Sequence, residues 1–144
     1  MAIRSAKGTL QQLGDGSTSP ASYTTIGQVR SISGPSTTAT IQDVTTHSTS
    51  GNWMERLAVL IDPGTLSFPM NYDSSDSTHQ FAVGLWTLMT GLTQRLFRTT
   101  FPASIGRLDY SALVAGHGFD VPVDNVLAAN IELSIFGAIS ASNQ

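Results

Sequence analysis

"TLSFPMNYD", residues 65–73, alternates without a break. Leu66, Phe68, Met70 and Tyr72 fall on one side; Thr65, Ser67, Pro69 and Asn71 fall on the other. A period of two places the apolar set on one face of a half-buried strand. Pro69 has no N–H to give a ladder, so this strand belongs at a sheet edge or carries a bulge. Just upstream, "LAVLIDPG" breaks at Asp62-Pro63-Gly64, a strong turn signal.

Further upstream the pattern stays β. "DGSTSPAS" and "SGPSTTAT" are rich in residues that favour bent backbone and read as loops. Between them "YTTIGQVRSI" (residues 23–32) reads as a strand, and "ATIQDVTT" (residues 39–46) as a second. A long polar loop follows, 45–56, ending in Trp53-Met54 beside Glu55 and Arg56. Downstream, "STHQFAVGLWTLMT" (residues 77–90) predicts one helix. Ser77 and Gln80 have capping-box spacing, Phe81, Leu85, Leu88, Met89 and Leu92 form an apolar stripe, and Gly91 is the stop. Residues 93–102 and 107–121 read as strands around a turn. In 124–139, Ile131, Leu133 and Ile135 alternate with Asn130, Glu132 and Ser134. The expected architecture is mainly β, a sandwich or rolled sheet with one flanking helix, in a single domain spanning residues 1–144.

Charged residues make up 12% of the 144-residue chain, and the net charge is −3. An average soluble domain carries roughly 25%. A grip on nucleic-acid phosphates needs a basic surface, which this balance excludes. Few charges and many small polar residues fit an exterior that meets protein. They fit equally a β-rich protein with a neutral surface. The absence of cysteine removes disulfides, thiolate metal sites and cysteine nucleophiles. The start "MAIRSAKGTLQQLGDG" has no apolar core of the kind a secretory signal needs, and no apolar run is long enough to cross a bilayer.

The sequence asks for little chemistry. His47, His79 and His117 have no ligand partners at metal-site spacing and are expected as solvated or hydrogen-bonded surface residues. Asp73 and Asp76 are explained by the start of the predicted helix. There is no nucleophile elbow or phosphate loop, so no catalytic residue, metal or cofactor is expected. Trp53 and Met54 have two readings. They fold back onto their own core, or they anchor the loop on another subunit. Sequence alone favours the first narrowly.

Taken in order, the pieces resemble a phage tail tube protein, the major tail protein of a long-tailed bacteriophage. The resemblance covers nearly the whole chain. It rests on "IGQVRSISGPSTTATIQDVTTHSTSGNWMERL", "DPGTLSFPMNYDSSDSTHQFAVGLW", "RLFRTTFP" and "DVPVDNVLAANIELSIFGAI". It implies a fold shared with type VI secretion tube proteins, and six-membered rings stacked into a hollow tube in the virion, assembled in the host cytoplasm. It further implies that the 45–56 loop and an N-terminal arm, 1–16, reach other subunits. Thr46, His47, Asn52, Trp53 and Met54 are the expected contact residues; Asn130, Glu132 and Ser134 are expected to face the lumen.

The implied partners are further copies of the chain and other tail proteins (tape measure, terminator, and sheath where the tail contracts). DNA passes without specific binding, and no membrane is involved. Low charge limits repulsion between stacked identical faces. The chain ends soon after its last strand, so no added Ig-like domain is expected. Competing readings are a head-to-tail connector or tail terminator ring, a β-sandwich carbohydrate-binding module, and a hydrolase built on scattered carboxylates.

Overall fold

The computed structural model describes residues 5–16, 22–48, 51–102 and 104–143. Eight strands and one helix follow in order: β1 Leu10–Gly14, β2 Tyr23–Thr25, β3 Thr38–Asp43, β4 Arg56–Asp62, β5 Thr65–Asn71, α1 Leu85–Thr90, β6 Gln94–Thr100, β7 Arg107–Asp120 and β8 Ala128–Ser142. Six strands form one antiparallel sheet in the order β2-β1-β6-β7-β8-β5, and β3 and β4 form a separate hairpin.

The alternation in β5 emerges as read. Leu66, Phe68 and Met70 are buried. They lie opposite Leu133, Ile131 and Ala129 of β8. With Leu13, Phe97, Tyr110, Ala112, Val114 and Ile135 they build the core on one face of the sheet, and Leu85 and Leu88 of α1 close it. Pro69 sits in the last strand of the sheet order, as its missing donor requires. On that outer side the N–H groups of Ser67 and Asn71 donate to the carbonyls of Ser33 and Gln28, while the Pro69 carbonyl accepts from the Arg30 N–H. The covering chain asks nothing of the Pro69 nitrogen.

This covering chain shows that the sheet is rolled. Tyr23–Thr25 pairs with β1 at one end of the strand order. Val29 and Ser33 then bridge to Met70 and Ser67 of β5 at the other end. In a flat sheet those outer strands would lie about 24 Å apart, five spacings of ~4.8 Å. Four residues from Thr25 to Val29 reach at most ~14 Å. The sheet must therefore curl until its two rims approach, with Ile26 buried where the chain crosses.

Three sequence expectations change. The strand read over 23–32 is regular only at β2; beyond it Gln28 takes a positive φ of 60°, which breaks the ladder. The N-terminal arm, 1–16, is in part a sheet strand: β1 lies between β2 and β6 with Gln11 and Leu13 buried. Residues 1–4 lie outside the described residues.

The helix is six residues long, not the span 77–90. Asp73 Oδ1 accepts from the Ser75 amide and hydroxyl, and Asp76 Oδ1 accepts from those of Thr78. These local bonds compete with helix formation. They hold the chain in turns up to Gly84, where a Cβ would run into the Thr78 and Gln80 carbonyls. Gly84, not Ser77, is the N-cap, and no side chain caps it. The stop at Gly91 is as expected.

A closed polar ring ties three strands together inside the roll. Gln11 Nε2 donates to the Tyr110 hydroxyl at 2.8 Å. Thr99 Oγ1 donates to Gln11 Oε1 at 2.7 Å and lies 2.9 Å from the Tyr110 oxygen. Because the Thr99 proton is committed to Gln11, Tyr110 donates to Thr99, and each of these bonds has a donor and an acceptor. All three residues are at most 2% exposed. Burial raises the Tyr110 phenol pKa, against the opposing effect of its hydrogen bonds to Thr99 and Gln11.

Candidate assembly surfaces

The β3–β4 hairpin is built from residues that ordinarily form cores. Ile41, Leu57, Val59, Leu60 and Ile61 are all exposed, as is every other residue of the two strands. Among the described residues β3 and β4 pair only with each other. A lone two-stranded ribbon is marginally stable in water. An exposed apolar group of this extent marks a surface that something else covers.

Local bonds keep the ribbon together at both ends. At its base, Asp62 Oδ1 accepts from the Gly64 N–H at 2.9 Å, and Gly64 adopts φ 78°. Beyond the strands, the Val44 N–H donates to the Glu55 carbonyl, and the Glu55 N–H donates to the Thr45 hydroxyl. Asp43 Oδ1 accepts from the Thr45 N–H, and bonds from the Thr45 hydroxyl and amide hold the Asp43 carboxyl below its usual pKa. The loop read over 45–56 is thus the tip of an arm, already laddered at Thr45 and Glu55.

Thr46, His47 and Asn52 lie exposed at that tip. Trp53 is 82% exposed and Met54 59%, so the folded-back reading of this pair is overturned. The tip is held to its own strands and leaves the two side chains no core to enter. His47 is on the surface, as expected.

A second apolar group gathers where β7, α1 and the turns before α1 meet. Phe81 and Phe119 have ring centroids 5.8 Å apart, with Tyr72 5.8 Å from Phe81 and Trp86 edge-on to Phe81 at 5.7 Å. Phe81, Val83, Phe119, Val121, Val123 and Val126 are exposed. Sequence reading missed this patch. Its signal was present in "FDVPVDNVL", where Phe119, Val121 and Val123 carry the apolar alternation of β7 past the strand's end into a turn-rich segment.

Two histidines expected at the surface lie beneath the patch. His79 is fully buried. Its Nδ1 accepts from the Asp73 N–H at 2.9 Å, so Nε2 carries the proton and donates to the Gly27 carbonyl at 2.8 Å. Asp76 is not a helix cap but a clasp, accepting from the Gly27 N–H. Burial acts to raise its carboxyl, yet the bonds from Thr78 and Gly27 bring it below the usual value. His117 is 8% exposed, packed edge-on to Trp86 and against Phe119. Neither of its ring nitrogens has a hydrogen-bond partner among the described residues. Burial depresses its pKa, so the ring is neutral near pH 7.

The third surface is the sheet face opposite the core. Asn130 and Glu132 are exposed and Ser134 partly so, in register with Pro69, Ser67 and Thr65. Ile131 and Leu133 between them are buried, as the alternation required. The Arg98 side chain donates to Asp109 at 2.6 Å on the neighbouring strands, and Arg107 lies 3.6 Å from the same carboxylate. With Glu132, these charges cancel. No group of three metal-ligating side chains occurs among the described residues.

These features define a class: a small rolled β domain with an unpaired apolar arm and a polar face. The same fold occurs in a chain from the virion of a native gene transfer agent particle, at 17% identity and TM-score 0.73, covering 97% of this chain and 99% of that one. It also occurs in the tail of an empty gene transfer agent particle, refined helically with C6 symmetry, at 17% identity, TM-score 0.74 and the same coverage. The SPP1 tail tube shares it at 8% identity and TM-score 0.66, covering 94% of this chain and 77% of that one.

The chain belongs to the lambda phage tail tube protein family, whose profile matches residues 7–142. No curated protein matches it in sequence. The family expected from the order of strands and turns is the family found, and the chain is a structural tail tube subunit.

Proposed function

We propose that this chain is the repeating subunit of a virion tail tube, closing into hexameric rings that stack into a hollow conduit for DNA. The observation that carries the stacking is the β3–β4 arm, whose apolar strands and Trp53–Met54 tip are left uncovered by the described residues. The C6 symmetry of a tail with the same fold supports the ring number. Thr46, His47, Asn52, Trp53 and Met54 are the arm residues that meet a neighbouring copy. Asn130, Glu132 and Ser134 face the lumen, where a polar wall of balanced charge offers phosphates no concentrated grip. The ends of the tube meet the tape measure and terminator proteins. The role is structural and needs no cofactor.

Negative-stain electron microscopy of the purified protein over a range of concentrations tests this. Hollow tubes or stacked rings with a central hole are expected above a threshold concentration. Rings that never stack would instead favour a terminator. Monodisperse globules at high concentration, even with a preformed tail tip added, would overturn the reading.

A further inference from the structure

A head-to-tail contact that propagates needs two different surfaces on one chain, each complementary to the other. The arm is one such surface. We propose that its seat on the next copy is the aromatic patch of Phe81, Trp86 and Phe119 with the valines of the β7–β8 turn. This rests on the tube reading above and adds the identity of the receiving surface.

Three observations favour a second copy as the occupant. First, the chemistry matches. Trp53 and Met54 are an aromatic and a thioether, and both pack well on ring edges and faces such as those Phe81 and Phe119 expose.

Second, the tip carries one cation that the patch can pair. Arg56 adjoins the tip, next to Glu55 and opposite Asp43 in the ladder, whereas Asp120 and Asp124 flank the valines of the patch. None of the three makes a salt bridge among the described residues. Docking brings the cation of one copy toward the carboxylates of the next, which sets register more than it adds affinity.

Third, the patch is braced from below. His79 is fixed by two hydrogen bonds, and the rings of Tyr72, Phe81, Trp86, His117 and Phe119 contact one another in series. A braced platform loses little entropy on binding. The short α1 presents Trp86 in its first turn, edge-on to the exposed Phe81.

The chain has no cysteine, so engineered thiols are unique reporters. Asn52→Cys, an exposed contact residue of the arm tip, and Val83→Cys, an exposed position beside Phe81 of the patch, are placed in separate full-length chains. The two proteins are mixed under tube-forming conditions and treated with a short bis-maleimide.

The expected result is a covalent dimer that forms only when both variants are present, and a ladder when one chain carries both thiols. Tubes in the micrographs without that dimer, or with only Asn52→Cys joined to itself, overturn the pairing and leave the tube reading standing. Failure of the wild-type chain to form tubes under any of the conditions above overturns both.

Discussion

Replacing Trp53 with alanine separates a contact made within the chain from one made between chains. Trp53 is 82% exposed in the free subunit. Surface changes of this kind usually alter folding stability by no more than about 0.5 kcal/mol. Docking is different. An aromatic side chain buries ~150–250 Å², so covering this one removes on the order of 150 Å² from water. At ~25 cal/mol per Å² this amounts to about 4 kcal/mol. Ordering of the tip reduces that figure, and about 2 kcal/mol is a fair value for an anchoring aromatic. Each subunit added to a growing tube contributes one such contact. The critical concentration for assembly is therefore expected to rise about 30-fold. Urea unfolding of the monomer and pelleting of tubes across a concentration series measure the two effects separately. A monomer destabilised by the roughly 3–5 kcal/mol typical of a core aromatic would refute the argument. So would an unchanged critical concentration.

Other perturbations address the remaining surfaces. Tyr110→Phe removes one member of the Gln11–Thr99–Tyr110 ring and strands two buried partners, which should cost about 1–3 kcal/mol in urea unfolding; a neutral result would mean water enters the ring. The depressed pKa of His117 means that the unfolded chain takes up a proton near 6.5 while the folded chain resists it. Stability should fall as the pH drops below about 6.5 and level off below the folded pKa, and His117→Leu should flatten that limb of a pH–stability profile. Gly64→Ala places a Cβ against the Ser36 carbonyl at a positive φ; proteolysis should then cut the arm faster while the thermal midpoint of the sheet moves little. Joint Asn130→Lys and Glu132→Lys substitution should leave tubes intact but make them retain DNA in a salt-sensitive way, measured by co-sedimentation at low and high ionic strength. Tubes that ignore DNA would show that this face is not the lumen.

Much of the fold could be read because one face of each long strand is apolar. The parity of Leu66, Phe68 and Met70, and of Ile131, Leu133 and Ile135, survives unchanged into the core. Pro69 announced its edge position through a missing donor. The helix start was misread because Ser77 and Gln80 match a capping box, whereas the side chains of Asp73 and Asp76 had already committed the backbone to turns. Periodicity carries no information about such side-chain bonds.

The burial of His79 and His117 likewise depends on partners far away in sequence. His79 bonds to Gly27, 52 residues distant. The hardest case was the arm. "LAVLI" is apolar enough for any core, and a sequence does not say whether the core belongs to the same chain. Exposure of Trp53 is a fact of tertiary structure, and no local pattern encodes it.

The chain crossing from β2 to β5 has a mechanical consequence. Residues 23–33 are one continuous segment hydrogen-bonded to both rims of the rolled sheet, and Ile26 and Val29 pack into or against the core along the way. The segment acts as a hoop. A force that tends to flatten the subunit has to break the hydrogen bonds that clip this segment to β1 and to β5 together, as well as pull Ile26 out of the core. The arm has no such restraint: it joins the body through Ser36–Thr37 on one side and Pro63–Gly64 on the other. In a tube built this way the wall is stiff and the joints yield. If the arms are the joints between rings, as proposed, bending collects there and the bore keeps its cross-section.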